Sequence, residues 1–139
     1  MTEYVPQALR RHVEERANRR CEYCLIDADE ALFPHEPDHI ISLKHRGLSV
    51  RENLAWSCFD CNRFKGSDIA SLDPISGVLV SLFNPREDSW YEHFQFEGGA
   101  ILPLTPIGRA TATLLKFNLP QRVEVRATLA QASRYPRQF

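Results

Sequence analysis

The chain has 139 residues and a formal charge of −1, with 43% hydrophobic and 25% charged residues, a balance that predicts a single soluble domain over 1–139. That charge excludes a protein that coats nucleic acid by net charge alone, so a polyanion has to be met by a local arrangement. Residues 1–6, Met-Thr-Glu-Tyr-Val-Pro, hold no apolar run that would serve as a signal peptide, which predicts a cytoplasmic protein without a membrane segment.

Residues 5–20 read as a helix, with Pro6 in its first turn and Leu9, Val13 and Ala17 in an apolar stripe. Its arginines, Arg10, Arg11, Arg16, Arg19 and Arg20, read as a solvated face diluted by Glu14 and Glu15. From Leu25 to Glu36 the chain is an acidic connection with a short strand at Ala31-Leu32-Phe33 and a structural or surface His35. Asp38-His39-Ile40-Ile41 reads as a strand, with Asp38 and Ile40 on one side and His39 and Ile41 on the other. Ser42–Glu52 is a loop carrying Lys44, His45, Arg46 and Arg51, turning at Gly47. Asn53–Ser57 forms a second strand with Leu54 and Trp56 in the core, and Cys58–Lys65 turns into a helix that puts Asn62 and Lys65 on one face.

Beyond Gly66 no motif stands out. Val78–Phe83 reads as a strand, and Trp90–Phe96 as another from its alternation. Gly98-Gly99 gives a hairpin turn back through Ala100–Leu104. Thr105 caps a helix beginning at Pro106, and Pro120 opens a last helix to about Ser133. Tyr91, Phe94 and Phe96 read as strand core in preference to a base-stacking platform. Arg122, Arg126, Arg134 and Arg137 fit either a solvated helix face or a backbone-binding surface.

The chemistry concentrates between Cys21 and Lys65. Two Cys-x-x-Cys pairs, Cys21/Cys24 and Cys58/Cys61, are able to close a four-thiolate shell, and Zn2+ suits four soft ligands with no open position. A disulfide framework and a thioredoxin-like dithiol are the alternatives; the first suits a secreted chain, and the second uses one pair and leaves the other idle. Asp38 and Asn62 offer hard oxygens, which suit Mg2+ or Mn2+, with His39 beside the carboxylate.

Asp38-His39-Ile40-Ile41, Asn53-Leu54 and Cys58-x-x-Cys61-Asn62-x-x-Lys65, with the upstream Cys21-x-x-Cys24, resemble the HNH endonuclease family over about a third of the chain. The resemblance implies an α+β protein: a ββα-metal finger at about 20–66 with a structural four-cysteine zinc site. An N-terminal helix precedes it, and a small antiparallel element with two C-terminal helices is appended at about 67–139. It implies Asp38 and Asn62 as ligands of a catalytic Mg2+ or Mn2+, His39 as general base, and Asn53 as the residue that pins the loop positioning His39. It further implies a phosphate contact for Lys65. Ser42 departs from the family pattern, in which Pro often follows the Ile-Ile pair. The basic loop adds Lys44, His45 and Arg46 as substrate contacts.

The resulting expectation is a metal-dependent DNA endonuclease, a phosphodiester hydrolase leaving 5′-phosphate and 3′-hydroxyl ends, with a homodimer favoured where both strands are cut. The alternative is a non-catalytic zinc-stapled module that binds nucleic acid. A redox dithiol protein is a third, separable by whether the thiols titrate freely.

Overall fold

The computed structural model describes residues 5–137, so Met1–Tyr4 of the segment read for a leader lie outside the described residues. The first helix, α1, spans Gln7–Arg16 and is shorter than its apolar stripe predicts. Asn18 and Arg19 follow at φ 53° and 61°, a left-handed turn that a helix of L-residues does not continue through. Val13 and Ala17 bury the stripe against Leu54 and Trp56. Two of the arginines expected on a solvated face fasten the helix instead: Arg16 donates to the carbonyls of Arg51 and Leu54 at 2.8 and 2.6 Å, and Arg10 pairs with Glu36 at 2.7 Å.

Strands β1 (Glu36–His39) and β2 (Leu54–Ser57) pair antiparallel, with Asp38 opposite Ala55 and His39 opposite Leu54. The ladder extends one step further, where the Ile40 amide donates to Asn53 O at 2.9 Å. Helix α2 (Phe59–Lys65) follows β2 directly, with Cys58 as its N-cap. No strand forms at Ala31–Phe33: a 3-10 turn at Ala28–Glu30 capped by Asp27 precedes it, and Leu32 is left 91% exposed with no partner strand. His35 is buried and bonded through Nε2 to Ile26 O at 3.1 Å, a structural role.

The second half adds four strands. β3 (Ala70–Leu72) pairs with β4 (Leu79–Ser81), and β5 (Phe94–Glu97) pairs with β6 (Ala100–Pro103) through the Gly98-Gly99 turn. The partner of the 78–83 strand was not apparent in the sequence, because Ala70-Ser71-Leu72 is too short to show alternation. Residues 90–96 correct a second reading: Trp90–His93 form one helical turn, α3, before β5 begins. Trp90 and Phe94 are spaced for either period. The indole settles the matter by donating to Tyr23 O at 2.8 Å while its ring stacks on Phe96 at 4.8 Å. Helices α4 (Pro106–Leu114) and α5 (Pro120–Gln131) complete the chain, and the Thr105 hydroxyl caps α4 by accepting from the Gly108 amide.

The architecture is α+β, a ββα unit with an N-terminal helix, two appended hairpins and two C-terminal helices. One apolar cluster joins Cys21, Cys24, Cys58 and Cys61 to Trp90, Phe94, Leu115, Phe117 and Tyr135, so the cysteine-bearing segments and the appended half share a core. Arg122 and Arg126 are 8% and 2% exposed, which corrects both surface readings. Arg126 donates to Gly99 O at 2.7 Å, and a Cβ on Gly99 would meet Val123 O at 2.1 Å, so α5 rests directly on the hairpin turn. No helix among the described residues is long and apolar enough to cross a membrane.

Candidate active site and metal centre

The Cys-x-x-Cys spacing places each cysteine pair on a tight turn whose backbone amide points at sulfur. Cys24 N donates to Cys21 Sγ at 3.5 Å, and Cys61 N donates to Cys58 Sγ at 3.4 Å. The four sulfurs lie within 4.8 Å of one another, with Cys24 and Cys58 3.6 Å apart, and all four are buried without a disulfide. Sulfurs around a tetrahedral ion with bonds of about 2.3 Å stand about 3.8 Å apart. The donor set therefore fits a closed four-coordinate site.

Electrostatics point the same way. Hydrogen bonds from the other thiols push Cys24 well below the ordinary thiol range, while Cys58 is driven well above it by its bonds to Cys21 and Cys24. Burial drives Cys61 up as well. Four thiols this close do not all ionise without a cation among them. One cation is already adjacent: the buried Arg122 donates to Cys61 Sγ at 3.2 Å and to the carbonyls of Leu115 and Lys116, and its Nε pairs with Asp60 at 3.8 Å. Burial works against the Arg122 charge, but the negative charge that Cys61, Cys24 and Cys58 carry when ionised more than offsets this and raises its pKa.

β1 sets Asp38 and His39 on opposite faces. Asp38 and Ile40 are buried, whereas His39 is half-buried and Ile41 exposed. His39 Nε2 shares a hydrogen bond with Ser49 Oγ at 2.8 Å. Ser49 belongs to the loop running from Ser42 to Val50, which Asn53 ties back to β1. The Asn53 carboxamide accepts from Ile41 N and donates to Ile41 O and Leu48 O, each at 2.9 Å. Gly47 is needed for that closure, because a Cβ there would stand 1.6 Å from Ile41 O and 2.8 Å from Asn53 Nδ2. Lys44, His45 and Arg46 are exposed on the same loop.

Asp38 is 5% exposed and fully engaged. Its Oδ2 accepts from the Tyr23 hydroxyl at 2.8 Å and pairs with the Lys65 ammonium at 3.2 Å. Burial drives the Asp38 carboxyl up from its ordinary range, and Lys65 and Tyr23 pull it partway back. Lys65, expected at a phosphate, is only 2% exposed and also donates to His39 O and Ile40 O at 3.1 and 3.2 Å. Asn62, one turn before Lys65 on α2, is half-buried, and its carboxamide makes no hydrogen bond among the described residues. A carboxylate with a carboxamide oxygen suits a hard divalent ion in donor chemistry, but the Asp38 carboxylate is buried and its charge is already balanced by Lys65.

Two participants were missed in the sequence, Tyr23 and Ser49. Tyr23 lies between the cysteines of the first pair, and only the fold brings it to Asp38, fifteen residues on. Ser49 carries no sequence signal beyond its place in the loop. A cleft of about 470 Å³ opens elsewhere, beside the cysteine cluster between Phe33, Phe59, Arg63 and Val125.

Residues 21–68 match the family model described as HNH endonuclease, an assignment that implies a nucleic-acid substrate. Searches of curated proteins and of solved structures returned no match.

Proposed function

From a chain that carries an HNH endonuclease domain at residues 21–68, we propose a divalent-ion-dependent DNA endonuclease whose finger is stapled by Zn2+ at Cys21, Cys24, Cys58 and Cys61. The observation that carries this reading is half-buried His39 at the end of β1, on the strand face opposite buried Asp38 and bonded to Ser49 of a loop that exposes Lys44, His45 and Arg46.

In this reading His39 takes the proton from the water that attacks the scissile phosphate. Ser49 fixes the imidazole, and Asn53 holds the loop that carries Ser49. Lys44, His45 and Arg46 meet the phosphates on either side of the cut, a role that orients the duplex without reading its sequence. Asp38 and Asn62 would hold Mg2+ or Mn2+. When bound, that ion supplies Lewis-acid stabilisation of the charge on the departing 3′ oxygen. One such site per chain cuts one strand at a time, so scission of both strands favours two copies.

One observation favours a second reading, a zinc-stapled nucleic-acid-binding module without catalysis: Asp38 is already neutralised by Lys65. Conversion of supercoiled plasmid to nicked and linear forms, with Mg2+ or Mn2+, separates the two. The nuclease reading expects conversion that EDTA abolishes and that His39→Ala loses while keeping its fold. Undiminished cutting by His39→Ala removes the base assignment. Absence of cutting by folded, zinc-loaded protein with every divalent ion tried supports the binding module.

A further inference from the structure

The Lys65 ammonium has three protons, and the chain supplies oxygen acceptors for all of them. Around Nζ stand Asp38 Oδ2 at 3.2 Å, Asp38 Oδ1 at 3.4 Å, His39 O at 3.1 Å and Ile40 O at 3.2 Å. This is an oxygen-lined cation site made by one strand and filled by a side chain of the facing helix. Tyr23 closes it from the knuckle side by donating to Asp38 Oδ2. Lysine is almost never buried this completely unless its charge is compensated, and here one carboxylate compensates it.

Asp38 is also the carboxylate that the proposed nuclease needs for its ion. A divalent cation added beside an intact Lys65–Asp38 pair would put two like-charged centres in one buried pocket, an arrangement that low polarity penalises heavily. We propose that Lys65 is a resident internal cation that competes with the divalent ion for Asp38, so that the ion engages the carboxylate only when Lys65 leaves it. The inference rests on the nuclease reading for the identity of the ion, but its test does not depend on cleavage. Lys65 is on this account a positioning residue: at rest it holds Asp38 and the backbone of His39 and Ile40 in place, and it sets how much ion is needed to charge the site.

The test is Mn2+ binding to zinc-loaded protein, followed by electron paramagnetic resonance of the free ion, in wild type, Lys65→Met and the double variant Lys65→Met with Asp38→Asn. A unit charge at contact distance alters a carboxylate equilibrium by about tenfold or more. Lys65→Met is therefore expected to bind Mn2+ at least about tenfold more tightly than wild type, and the double variant to lose the gain. Equal or weaker binding by Lys65→Met overturns the proposal. Should Lys65→Met not fold, the wild-type protein labelled in its lysine ammonium groups gives the answer by NMR. Saturating Mg2+ is expected to shift the Lys65 resonance and speed its proton exchange, and an unmoved resonance overturns the proposal. Tighter Mn2+ binding in Lys65→Met with no plasmid cutting by wild type would sink the nuclease reading and leave the competition standing. Cutting by wild type without tighter binding in the variant would do the reverse.

Discussion

Asn53→Ala isolates the loop closure over His39 from the rest of the fold. The substitution deletes the side chain's three hydrogen bonds, one from Ile41 N and one each to Ile41 O and Leu48 O, and leaves the shared core untouched. A neutral hydrogen bond contributes about 1 kcal/mol net. Asn53 is half-buried, so water recovers part of the loss, and about 2 kcal/mol is expected for the set. If that loss falls on opening of the 42–50 loop alone, the Gly47 amide, bonded to Ser42 O, should exchange its proton about 30-fold faster while amides in α5 keep their rates. If it falls on the whole molecule, the melting temperature should drop by about 7 °C for a chain of this size. Hydrogen exchange followed by mass spectrometry or NMR distinguishes the two, and local opening is the expected result. Asn53→Asp sharpens the test: it keeps the acceptor for Ile41 N but turns a carboxylate oxygen toward the Ile41 and Leu48 carbonyls, so it should be no better than alanine. A Gly47 amide that exchanges at the parental rate in Asn53→Ala would refute the loop-closure argument.

Three further outcomes follow from contacts elsewhere. Arg122→Met removes the cation at Cys61 Sγ while keeping much of the apolar stem, and metal retention against a chelator should weaken about 10–100-fold, as for other partners of metal ligands; unchanged retention would show that the guanidinium is only filling space. Cys58→Ser should lose bound zinc and the fold together, read as metal content and near-ultraviolet circular dichroism, because the ligand belongs to the shared core as well as to the metal site. The Arg109 guanidinium, forked on Asp73 at 2.8 Å to each oxygen, holds that carboxyl far below the usual carboxylate range. A depressed folded-state value stabilises the fold above the unfolded-state pKa of about 3.9 and is lost as pH falls through the folded value. Wild type should therefore be more stable than Asp73→Asn at neutral pH, and the gap should narrow only in strong acid; a gap that closes between pH 5 and 7 would place the titrating group elsewhere.

The sequence disclosed the parts of the site whose chemistry depends on near neighbours. The cysteine pairs announce their grouping through two-residue spacing, and Asp38 beside His39 needs only strand alternation to put one inside and one outside. Tyr23, Lys65 and Arg122 behave differently. Each is a polar side chain of a type usually found at the surface, and each is buried because an opposite or complementary group from a distant segment is waiting for it: Asp38 for Tyr23 and Lys65, the thiolates for Arg122. Local pattern carries no trace of such pairings. The same limit explains residues 90–93, where a helical turn and a strand present the same apolar positions and a hydrogen bond to Tyr23 O decides between them.

The contact of the last helix with the cysteine cluster has a consequence for synthesis on the ribosome. The finger is complete in sequence at Lys65, but Arg122 reaches Cys61 across 61 residues, and Tyr135 donates to Cys24 O across 111. At about 5–20 residues per second, the tail arrives roughly 4–14 s after the finger has been made. During that interval the thiolates lack the arginine that balances them, and the side that α5 later covers faces water. Thiol oxidation is therefore expected to be faster in the nascent chain than in the finished protein, where all four cysteines are buried.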